Sequence, residues 1–111
     1  MLDRDEKMAM AARKHWSAAY TGFWMDSPGC AADGCGEPSE PPHHIRTRGA
    51  GGSDDSYNLL PLCVSHHREI HTIGCKLFMF RHPRTRGKIT RALGTPKAVR
   101  LLTTAVKGRK A

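Results

Sequence analysis

The sequence predicts a small α+β domain, in which two short strands and a following helix are stapled by metal and flanked by helical segments. Three observations lead there. Two short stretches that read as strands, residues 43–45 and 59–62, enclose a long polar loop, and a segment with His67 and His71 at helical spacing follows them. Cys30, Cys35, Cys63 and His66 offer a metal-ligand set to a chain of 111 residues whose apolar content is only 39 %. Segments near both ends repeat apolar residues at three- and four-residue steps.

The bulk composition bounds the rest. A core this modest gains from a structural metal. No run of about 18 apolar residues is present, so no membrane span is expected. The start MLDRDEKMAM mixes both signs of charge and lacks an apolar h-region, so it does not read as a signal peptide. A cytoplasmic setting is expected. In that reducing compartment four cysteines read as zinc ligands or thiols before disulfides. The net charge of +8 is uneven. Residues 76–111 contain eleven Lys or Arg and no acid, the footprint of a polyanion binder. A solvated tail kept basic for solubility is the plainer reading of the same run.

Taken in order, residues 2–20 suit one helix. Asp3 and Asp5 favour the N-terminal end of its dipole. Met8, Ala11, Ala12, His15, Trp16 and Ala19 make an apolar face anchored by Trp16, and Gly22 is its stop. Residues 26–42 are a Pro- and Gly-rich loop carrying Cys30 and Cys35, a stretched zinc knuckle. Residues 43–45 form a strand, where alternation sends His43 and His44 to opposite faces unless a bulge intervenes. Residues 46–57 are a polar loop, and residues 59–62 a second strand kept short by Pro61. A helix starts at Val64 or Ser65, and Gly74 is positioned to stop it. Residues 76–80 are an apolar run for which periodicity does not separate strand from helix. Residues 84–93 read as a weak helix or an extended basic arm. Thr95 and Pro96 then cap a last helix over 97–106, and 107–111 fray. The organisation expected is one domain: an N-terminal helix (1–25), a zinc-stapled core (26–75) and a basic extension (76–111).

Chemistry concentrates in HHIRTRGAGGSDDSYNLLPLCVSHHREIH, residues 43–71, which holds five of the seven histidines. Cys63 and His66 can join Cys30 and Cys35 in a tetrahedral Cys3His zinc site, with Cys75 as the substitute for Cys30 or a buried thiol. His67 and His71 project from one helix face, and His43 can complete a three-histidine site for a divalent cation. His44 lies beside that ligand as a base, which Asn58 can orient; an imidazole of pKa ~6.5 suits deprotonation of water at neutral pH. Singly, each of these histidines is more often structural. Their joint order is what carries weight.

That order, HHI, then NLLPLC, then His-His with a further His on the helix, resembles the HNH (His-Asn-His, ββα-metal) endonuclease family over roughly residues 30–75, and is similar to small phage and prophage members. The resemblance implies a ββα-metal core in which His44 activates water and Asn58 holds the loop and orients that base. It implies His43, His67 and His71 as ligands of one catalytic cation (Mg2+, Mn2+, Ni2+ or Zn2+), and Cys30, Cys35, Cys63 and His66 as ligands of one structural Zn2+. It departs from the common pattern in having His66 where many members have Cys, and in a first pair spread by four residues rather than two. The activity implied is metal-dependent hydrolysis of DNA phosphodiesters, nicking duplex with little sequence preference. Arg46, Arg48, Arg68, Arg84, Arg86, Lys88 and Arg91 are the expected DNA-binding residues, Arg46 and Arg48 as phosphate steering only. Two other classes remain open: a non-catalytic zinc-stabilised nucleic-acid-binding module, and a zinc-stapled interaction protein with a merely solvated tail. Oligomeric state is not legible.

Overall fold

The computed structural model describes residues 2–94. Its order is α1 (Arg4–Lys14), α2 (Ala18–Asp26), β1 (His43–His44), β2 (Leu59–Leu60), α3 (Val64–Arg81) and α4 (Arg86–Leu93), with single 3-10 turns at Arg48–Ala50, Ser56–Asn58 and Pro83–Thr85. It is a small α+β fold with one two-stranded sheet.

The N-terminal region is two helices, not the single one expected over residues 2–20. Asp3 opens α1 with a capping box, its carboxylate accepting the Glu6 amide at 2.8 Å and the Glu6 carboxylate accepting the Asp3 amide at 3.2 Å. His15 then takes the left-handed conformation (φ 55°, ψ 37°) and its amide closes onto the Ala11 and Ala12 carbonyls. Ser17 restarts the chain by accepting the Tyr20 amide at 3.1 Å, and Gly22, the expected stop, lies inside α2. The apolar face drawn across both helices therefore does not exist. Met8 is half exposed, only Ala11 of α1 is buried, and Trp24 and Tyr20 rather than Trp16 are the anchors. Trp16 packs edge-on to both of them. Trp24 Nε1 donates to the Ser39 carbonyl at 3.1 Å and the Tyr20 hydroxyl to that of Pro42 at 2.6 Å, so both buried aromatics keep a partner for their polar tip.

The hairpin pairs His43 with Leu60 and His44 with Leu59 in antiparallel register. The second strand is half the length expected. Leu62 is fully buried but lies past Pro61, and its carbonyl instead accepts the Glu40 amide at 2.8 Å. The knuckle loop is tied to the same edge by the Ala31 amide, which donates to the Pro61 carbonyl at 2.8 Å.

Gly74 does not stop α3. At φ 84° and ψ 166° it kinks it, and the helix resumes through the apolar run whose state periodicity left open. Phe78 and Met79 from that run are buried with Ile45, Leu60, Leu62 and Ile70. Residues 84–93 are not an extended arm. The Asp33 carboxylate accepts the Arg84 amide at 3.0 Å, and α4 then lays Ile89, Ala92 and Leu93 into the same core. Burying Phe78 and Ile89 stabilises the fold by roughly 1.5–3 kcal/mol each, so the segment beyond residue 75 is part of the domain's packing. The cap at Thr95–Pro96, the helix expected over 97–106 and the frayed end lie outside the described residues. Among the described residues no helix is long and apolar enough to cross a membrane.

Candidate metal centres and the histidine between them

Two groups of ligand atoms converge, each within 4.8 Å: Cys30, Cys35, Cys63 and His66, and His43, His67 and His71. The first brings the knuckle loop to the start of α3. Cys63 is the N-cap of that helix and His66 lies on its first turn. The His66 Nδ1 atom is 3.2 Å from Cys63 Sγ and 3.4 Å from Cys30 Sγ, and Cys35 Sγ is 3.9 Å from Cys63 Sγ. Ligands at ~2.3 Å (Zn–S) and ~2.0 Å (Zn–N) in a tetrahedron lie about 3.8 Å (S···S) and about 3.5 Å (S···N) apart, so these four residues fit a metal such as zinc. Cys75 is not in the group; it is partly buried against the core. Burial works to raise the Cys63 thiol, but hydrogen bonds from Ser65 and from the backbone and ring of His66 outweigh it and take it down to about 6. Burial pushes the Cys30 thiol up to about 11 despite backbone hydrogen bonds. Of these two thiols, Cys63 is the one that ionises first.

The second group joins β1 to α3. His67 and His71 are one turn apart, with Nε2 atoms 3.2 Å from each other, and the His43 ring stands edge-on to both at 5.3 and 4.9 Å between centroids. Nitrogens at ~2.0–2.1 Å from one cation lie about 3.0–3.4 Å apart, so the imidazole pair has the separation a divalent ion requires. His67 turns its other nitrogen, Nδ1, toward Glu40 Oε2 at 3.5 Å. A carboxylate there directs Nε2, with its lone pair, into the cluster. Burial, then the neighbouring His67, His71 and His44, lower the His43 pKa to about 4, so its ring is neutral, the form in which histidine binds metal.

His44 points away from this group, as strand alternation requires. Its ring stacks on Tyr20 (centroids 5.0 Å, planes 6° apart), and its Nε2 is 2.7 Å from Asp54 Oδ1. Ser17 donates to the other Asp54 oxygen at 2.7 Å, and Arg48 to Oδ1 at 3.3 Å. The hydrogen bonds from His44 and Ser17 hold the Asp54 carboxyl below its ordinary pKa, so it is ionised. Asn58, expected to orient His44, makes no side-chain hydrogen bond to it. Buried Asn58 accepts the Arg46 amide at 2.8 Å and donates to the carbonyls of Arg46 at 3.0 Å and Ser53 at 2.8 Å, which uses up its side chain on the loop. Its effect on His44 therefore passes through the loop that carries Asp54.

The arginines separate by environment. Arg46 donates to the Leu93 carbonyl at 3.0 Å, pinning α4, and Arg48 lies over the Tyr20 ring while pairing with Asp54. Arg68, Arg84, Arg86 and Arg91 are exposed. Lys88 is half-buried against Phe23, and burial with Arg91 nearby lowers its pKa. Asp54, Ser17, Tyr20 and Glu40 were not singled out from the sequence. Ser17 carries a detectable signal, a capping residue ahead of an apolar turn, whereas an aspartate in a Gly-Ser loop carries none.

No family model and no solved structure matches the chain. A curated relative, "Uncharacterized protein YdfU" of Escherichia coli (strain K12), is 35 % identical over 68 residues, covering 59 % of this chain and 19 % of that protein. The chain thus spans about a fifth of that relative's length.

Proposed function

We propose that the chain is a metal-dependent endonuclease that hydrolyses DNA phosphodiesters, with His44 as the base that removes a proton from water and His43, His67 and His71 as the ligands of one divalent cation. The observation that carries the reading is the split of two adjacent histidines. His43 joins a cluster of three imidazoles, and His44 is held apart by an ionised carboxylate. Neighbouring Cα atoms are about 3.8 Å apart, so the backbone itself ties the cation ligand to the base. A cation held by three neutral ligands keeps its full charge for the phosphate and the 3′-oxygen leaving group. The sequence order of these residues, which resembles the HNH family, supports the same reading. Zn2+ in the Cys3His group would hold the knuckle against α3 and leave the catalytic histidines in place. Duplex DNA is the substrate the exposed arginines of residues 84–91 suit, by contact with phosphates.

Conversion of supercoiled plasmid to open circle, with Mg2+, Mn2+, Ni2+ or Zn2+, tests it. Cleavage by wild type that is lost in His44→Ala while DNA binding persists is the expected result. No conversion with any cation, although DNA is bound, would replace the nuclease by the non-catalytic zinc-stabilised binding module.

A further inference from the structure

We infer that Asp54 is a positioning residue that holds His44 in the Nε2–H tautomer, so that Nδ1 is the nitrogen that takes the proton from water. For its chemistry this rests on the nuclease reading; its geometry rests on contacts of its own. An ionised carboxylate accepts and never donates, so the proton in the 2.7 Å contact between Asp54 Oδ1 and His44 Nε2 belongs to the ring. A neutral imidazole carries one N–H, which leaves Nδ1 with the lone pair. Arg48 Nε also lies near His44 Nε2, at 3.4 Å, but the carboxylate is far closer at 2.7 Å, and the same guanidinium also faces Asp54 Oδ1 at 3.3 Å.

The carboxylate is itself held. Ser17 Oγ donates to Oδ2 at 2.7 Å, and Ser17 is fixed as the residue that caps α2. Tyr20, one turn along, covers a face of the His44 ring and is anchored by its hydroxyl on Pro42, next to His43. The break between α1 and α2 therefore delivers the serine and the tyrosine that set the base. α2 belongs to the site through these two contacts.

In the reaction one O–H bond of water breaks and the proton passes to His44 Nδ1. The oxygen forms a bond to phosphorus as the bond to the 3′-oxygen breaks, and that oxygen leaves with the electron pair and takes a proton from solvent. The imidazolium that forms carries both protons, and Nε2–H still donates to Asp54, whose charge stabilises it, as an aspartate does in other histidine-dependent sites.

The test uses the zinc-loaded full chain, as wild type, Asp54→Ala, Asp54→Asn and Ser17→Ala, with zinc content and circular dichroism reporting the fold. Plasmid cleavage is resolved into kcat and KM, and two-bond proton–nitrogen spectra read the His44 ring. Expected are a wild-type ring with Nε2–H and a bare Nδ1, a mixture of tautomers in Asp54→Ala, and a kcat lower by roughly 10²-fold in that variant at unchanged KM, the low end of what general-base catalysis contributes. Ser17→Ala should show a smaller loss of the same kind. Wild-type kcat in both Asp54 variants, or a wild-type ring protonated on Nδ1, would overturn the positioning role and leave the nuclease reading intact. No cleavage by wild type would overturn the nuclease reading, and the ring nitrogens would still decide whether Asp54 sets the tautomer.

Discussion

Asn58 and Arg46 bond each other twice: the Arg46 amide donates to Asn58 Oδ1 at 2.8 Å, and Asn58 Nδ2 donates to the Arg46 carbonyl at 3.0 Å. The side-chain amide thereby acts as one more rung of the sheet, just past the last backbone bond, in which Ile45 donates to the Asn58 carbonyl at 2.9 Å. Asn58→Ala leaves a buried amide and two carbonyls without this partner. A loss of roughly 1–3 kcal/mol of stability is expected, visible in thermal or urea unfolding. Asn58→Asp, which presents an acceptor to two carbonyls, should be worse, and an aspartate variant as stable as wild type would contradict this role.

Removal of metal should be more severe than any single substitution. Structural zinc sites contribute on the order of 10–16 kcal/mol of apparent binding energy, against a domain stability of about 5–15 kcal/mol. Chelation, or Cys63→Ser, should therefore unfold the chain near room temperature as followed by circular dichroism. Cys75→Ser should leave zinc content unchanged, because Cys75 is outside the ligand group.

The three-histidine group should titrate as a separate site. His71→Ala is expected to lower divalent-metal content by one equivalent while the Cys3His equivalent stays, as measured by elemental analysis. Glu40→Gln should weaken that same site by roughly 10- to 100-fold, the usual cost of losing the carboxylate behind a ligating histidine.

Tyr20 gives a prediction for alkaline pH. Burial raises its pKa from 10.0 to about 12, with Arg48 opposing and Asp54 adding to the shift. The folded state therefore favours the protonated phenol. Its contribution to stability is complete below pH 10 and is lost between pH 10 and about 12, where only the unfolded chain ionises. Phenolate absorbance should show a transition near pH 12 that is missing in Tyr20→Phe.

DNA affinity is best tested by charge, not by truncation. Deletion of residues 84–111 removes Ile89, Ala92 and Leu93 from the core and should unfold the protein. Replacing the exposed Arg84, Arg86 and Arg91 by Ala keeps that apolar face. It should reduce the slope of log affinity against log salt by up to roughly 3, about one unit for each phosphate that is no longer neutralised.

The sequence by itself singled out the candidate ligands. Spacing paired Cys30 with Cys35, Cys63 with His66 and His67 with His71, because four residues make one helical turn and small loop residues let two thiols meet. Cys75 stayed open as a substitute for Cys30; the fold brought the pairs together and left Cys75 out. The sequence likewise determined the hairpin, its long polar connection and the start of α3. The tertiary structure decided where helices end and which groups face His44. The break at His15 depends on a left-handed residue that no apolar period reveals, and Gly74 bends α3 without ending it because Phe78 and Met79 find buried places beyond the kink. Asp54 reaches His44 across ten residues of loop, and Ser17 reaches Asp54 across thirty-seven positions. Local periodicity reports which face of an element is apolar. It does not report which distant loop that face will carry to a neighbour, and the environment of His44 arises from those long-range contacts.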